Sequence, residues 1–138
     1  MKKRVLFFAV MVVMVIMIVA GCQSATAAEI EVSGEKVPSL YTALGQERKV
    51  VSTGTEATIG KTTKTVGYSG VSSEDLMSYY DYLGANGYIC TDESSTSIQM
   101  AREAAEEGYI VLVDMVLTSA DTAEITYTYA VGELTYYD

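Results

Sequence analysis

Tyr109–Leu117 reads YIVLVDMVL, nine residues broken only by the carboxylate of Asp114. Successive side chains of a strand point to opposite faces, so an apolar run of this length predicts a central strand covered on both sides or nearly so. Ser119-Ala120-Asp121 makes a turn, and 123–130 return with Ile125, Tyr127 and Tyr129 on one face and Thr126 and Thr128 on the other. Upstream, Ile98 and Met100 alternate as in a strand, whereas MAREAAEE also suits a helix. Segment 96–105 therefore reads as strand or helix. Strand is favoured, because a charged turn at 105–108 followed by an apolar run makes a hairpin. Beyond Gly132 the chain reads as a tail or short edge segment.

The clearest helix begins at Ser72. Asp75, three residues on, completes a shorter-acid capping box, and Glu74 and Asp75 suit the positive helix end. Leu76, Tyr79, Tyr80 and Leu83 fall on one stripe, and Gly84 and Asn86-Gly87 end the helix. Before it, 49–58 and 62–68 are rich in Thr and Val around Ile59-Gly60-Lys61, predicting a hairpin with Val66 and Tyr68 facing one way. Pro38 opens a one- or two-turn helix closed by Gly45, with Leu40, Tyr41 and Leu44 on its apolar side. The sum is an α+β domain: an antiparallel sheet of five to six strands with one main helix, about 73–85, packed across it.

Composition narrows the function. The 138 residues hold 9 Lys and Arg against 18 Asp and Glu, with no His and no Trp. Phosphate backbones are held by cations, so no nucleic-acid partner is expected. Chemistry built on Ser-His-Asp, Cys-His or zinc-histidine sets is excluded. Two Cys cannot make a disulfide scaffold.

The N-terminus carries an address. MKKR is basic, residues 5–20 are all apolar, and Gly21 and Cys22 follow. Sixteen helical residues span about 24 Å, short of a bilayer core of roughly 30 Å, as in a secretory signal helix that is cleaved. Val19-Ala20-Gly21-Cys22 resembles a bacterial lipobox. That resemblance implies a diacylglyceryl group on the Cys22 thiol and cleavage between Gly21 and Cys22, giving a lipid anchor in the bacterial cell membrane outside the cytoplasm. Two acyl chains hold a protein stably where one does not. The implied segments are a signal peptide 1–21, a lipidated flexible tether 22–36 and one small domain 37–138. Cleavage removes Lys2, Lys3 and Arg4, leaving 6 basic against 18 acidic residues, a balance of −12. Both Phe leave too, so the eleven Tyr must fill much of the core, with their hydroxyls partnered. In overall pattern the remainder resembles the small envelope lipoproteins of bacteria.

Candidate chemistry is sparse. Asp114, a carboxylate in an apolar strand, could act as an acid if its pKa is raised; alternatively it faces solvent or accepts a tyrosine hydroxyl. Glu74-Asp75, Asp92-Glu93 and Glu106-Glu107 lack the alternating acids, central Gly and closing Glu of a calcium loop, so neither metal nor cofactor is expected. Cys90 reads as a small buried hydrophobe. Tyr82, Tyr136 and Tyr137 are the tyrosines left over for a binding surface. The expected role is a non-catalytic binding or structural module at the envelope. The alternatives are a small hydrolase built on carboxylates around Asp114, and an acidic inhibitor-like module for a cationic envelope enzyme.

Overall fold

Alternation and turn chemistry divide the described residues into ten strands and two helices. The computed structural model describes residues 2–7, 15–17 and 27–137. The elements are β1 (Lys2–Phe7), β2 (Val15–Met17), β3 (Glu29–Val32), β4 (Glu35–Pro38), α1 (Leu40–Leu44) and β5 (Lys49–Thr58). After them come β6 (Lys61–Ser69), α2 (Ser73–Ala85), β7 (Ile89–Glu93), β8 (Ser97–Glu103), β9 (Tyr109–Leu117) and β10 (Thr122–Tyr137). Strands lie in the order β5-β6-β10-β9-β8-β7, each pair antiparallel, and β3 and β4 form a separate two-stranded sheet. YIVLVDMVL is central, between β8 and β10. The molecule is mostly antiparallel sheet, richer in strand than one helix on a five- or six-stranded sheet implies.

Helix α2 forms where its local signals are. Ser72 accepts from the Asp75 N–H while Asp75 accepts from the Ser72 N–H, a reciprocated capping box. Arg48 then clasps the same carboxylate with two nitrogens, each at 3.2 Å. Leu76, Tyr79 and Leu83 bury the helix against one face of the sheet, with Tyr80 only partly covered. Opposite them lie Val66, Met100, Val113, Met115, Ile125 and Tyr127. The Tyr79 hydroxyl donates to the Pro38 carbonyl at 2.6 Å and lies 3.1 Å from that of Tyr127. Tyrosine hydroxyls thus meet inside the core, not at its rim.

Two expectations need correction. Residues 29–36, read as tether, form the β3–β4 hairpin, whose Ile30, Val32 and Val37 are buried in the main core. Its four-residue strands are too short to stand alone, and Arg102 fixes them by pairing with Glu35 at 2.8 Å and donating to the Lys36 carbonyl. Pro38 closes β4, and α1 starts at Leu40 with Ser39 as its cap. The described pieces of the leader, β1 and β2, lie extended on the edges of β10 and β5. There Val5, Val15 and Ile16 lie in strand pairing with Leu134, Ala57 and Glu56. Gly21 and Cys22 lie outside the described residues.

Candidate functional site

Asp114 lies on the face of the sheet away from α2. Register aligns Gln99, Asp114, Thr126, Thr65 and Gly54 in one row across five strands. The Gln99 amide donates to Asp114 at 3.0 Å, the Thr91 hydroxyl donates to Gln99 at 2.8 Å, and the Thr126 and Thr65 hydroxyls are 3.3 Å apart. Burial raises the Asp114 pKa; the Gln99 hydrogen bond and the Lys61 charge oppose that rise, and Asp92 adds to it. The row is polar, shallow and tied together. Asp114 accepts from an amide where a tyrosine hydroxyl was one expectation.

Of the tyrosines expected at a surface, only Tyr82 has a described side chain. Tyr82 is a half-buried residue of α2 whose carbonyl accepts from the Asn86 side chain at 2.7 Å. The backbone of Tyr136 and Tyr137 ends β10, and their side chains lie outside the described residues. Cys90 is half-buried, and burial pushes its thiol pKa up, the reverse of an activated nucleophile.

Among the described residues, open clefts lie at three other places. One of about 330 Å³ lies on the threonine-rich hairpin of β5 and β6, between Ser52, Glu56 and Thr65. Another, of about 290 Å³, opens between Leu76 and Met77 of α2 and the Ser94–Ser97 turn. The third, of about 330 Å³, sits at the β8–β9 turn and gathers Glu103, Glu106, Glu107 and Glu133 beside Tyr109. Tyr109 stacks on Tyr129 with ring centres 4.8 Å apart, and the Tyr129 hydroxyl donates to Glu106 at 2.8 Å. Burial and that carboxylate push the Tyr129 pKa up to about 12. The charged turn expected at 105–108 is present with Glu106 and Glu107 exposed, and nothing local says that Glu133 returns to it. Asp114 lines none of these clefts. Among the described residues no group of three or more His, Cys, Asp or Glu is set to hold a metal ion.

No family model, curated protein or solved structure matches this chain. Among the described residues no helix is long and apolar enough to cross a membrane.

Proposed function

We propose that the chain is a bacterial lipoprotein, anchored through Cys22, whose domain is a non-catalytic binding module at the cell envelope. The observation that carries the reading is Val19-Ala20-Gly21-Cys22 placed at the end of a basic and apolar leader. The domain's start supports it: Ile30 is already core, so a folded body begins shortly after the lipidation position. With 27 and 28 held by Ser39 and Thr42, four residues (23–26) remain as spacer, spanning at most about 14 Å. The binding role is favoured over the hydrolase because Asp114 accepts from an amide and lines none of the three clefts described. A glycosidase would hold two carboxyls about 5–10 Å apart around a substrate cleft.

Mass spectrometry of the chain from the membrane fraction tests the anchor. The expected product begins at residue 22 and carries the added mass of acyl chains. Cys22→Ser should abolish both the lipid mass and the cleavage; a chain that still begins at Met1 and bears no lipid overturns the reading.

A further inference from the structure

Strand β10 outlasts its neighbours. Its pairing with β6 stops at Ala130 and with β9 at Val131, and 132–137 continue as an extended limb. At the root the Gly132 N–H donates to the Gly108 carbonyl at 2.9 Å. Leu134 then packs on Ala101, Ile110 and Leu112, on the face opposite α2. Among the described residues the limb pairs with β1 alone, in unbroken register from Lys2↔Tyr137 to Phe7↔Gly132.

The other edges of the sheet are less regular, and β5 takes only the three residues of β2, Val15–Met17. β5 carries a bulge between Val50 and Ser52 and the charges of Lys49 and Glu56; β7 is short, bulged between Cys90 and Asp92, and ends on Asp92-Glu93. Bulges and charges of this kind discourage strand addition. The limb has no bulge and one charge, Glu133, and its root borders the cleft of Glu103, Glu106 and Glu107.

We propose that 132–137 form a strand-accepting edge for an extended segment of another protein that combines Lys or Arg with apolar residues. Added backbone bonds give such a complex its affinity, and the side chains of the incoming strand give selectivity. Leu134 and its apolar bed receive the apolar residues, and the four carboxylates at the root favour the cationic ones. The chain itself supplies an example of the occupant: Lys2–Phe7, KKRVLF, lies on this edge. The proposal rests on the anchoring reading in one respect, that cleavage before Cys22 removes this strand and frees the edge.

The test uses the full chain purified from membranes in detergent, its N-terminus read by mass. A fluorescent KKRVLF peptide is titrated into it, with EEEVLF as control, and amide exchange is followed at 132–135. Saturable binding of the basic peptide, at least about tenfold tighter than the control and weakened by salt, is expected, with exchange at 132–135 slowed at least tenfold. Thr135→Pro, which removes a backbone donor outside the main sheet, should weaken binding at least fivefold while leaving α2 exchange unchanged. Equal binding of both peptides, or binding without protection at 132–135, overturns the proposal. If the mass shows that the leader remains, the anchoring reading has failed by itself. Val5→Pro in that intact chain then empties the edge, and the same titration decides the limb.

Discussion

Asp75 and Asp114 are both aspartates on the folded body, and their neighbours drive them in opposite directions. For Asp75 the upward push of burial is outweighed by Arg48 and Ser72, so its pKa lies below the ordinary value. The stability it confers is present at neutral pH and disappears as pH falls through the folded pKa. For Asp114 burial wins, so the folded state holds the proton more readily than the unfolded chain. Its charge therefore costs stability at neutral pH, and that cost fades as pH falls through the raised pKa. Asp114→Asn should stabilise the neutral protein by roughly 0.5 kcal/mol, the small size reflecting a carboxyl that water still reaches. Urea midpoints at pH 7 and pH 4 check this; the gain must shrink at the lower pH, and an equal gain at both would remove titration as the cause. The oddity of Asp114 is visible in the sequence, but its partner is not. Gln99 reaches it only through the β8–β9 register, which no local pattern announces.

Elements with self-contained signals are the legible ones. The capping box fixes α2 from Ser72, and the alternation around Ile59-Gly60-Lys61 fixes the β5–β6 hairpin. The β3–β4 hairpin escapes because EIEV and EKVP hold three core residues among acids and lysine, so the segment has the composition of a spacer. What decides it is tertiary: Arg102 and the sheet beneath. The bulge in β5 is equally hidden, and it gives Gly67 a specific task. A Cβ at Gly67 would run into Ser52 Oγ, since the bulge brings Ser52 opposite this residue. Gly67→Ala should therefore cost at most about 1 kcal/mol, because the exposed Ser52 hydroxyl can turn to another rotamer. Adding Ser52→Ala should recover most of the loss, as read from urea unfolding of the single and double variants. Failure of the second change to rescue the first would place the strain elsewhere.

For the whole molecule, the question is where the domain begins. If 22–36 were a free tether, truncating Ile30 would leave stability unchanged. With its side chain 1% exposed in the main core, Ile30→Ala should cost about 2–4 kcal/mol. A variant as stable as the parent would restore the long tether. The overall plan, an antiparallel sheet crossed by one principal helix, was readable because strand alternation and the α2 cap are local properties. The ends were not, since the hairpin before α1 and the limb after Val131 draw their stability from residues distant in the chain.

The buried phenols also set a limit in base. Burial lifts Tyr68 to about 12 and carries Tyr79 and Tyr127 further. An unfolded chain releases these protons near pH 10, so folding is progressively penalised above that value, while the core itself resists deprotonation. An alkaline titration should accordingly show the surface phenolates forming gradually and the interior ones abruptly, together with loss of structure. Lacking tryptophan, the protein reports that collapse through its own ultraviolet absorbance. Gradual ionisation of every tyrosine with the fold intact would mean that solvent already penetrates the core.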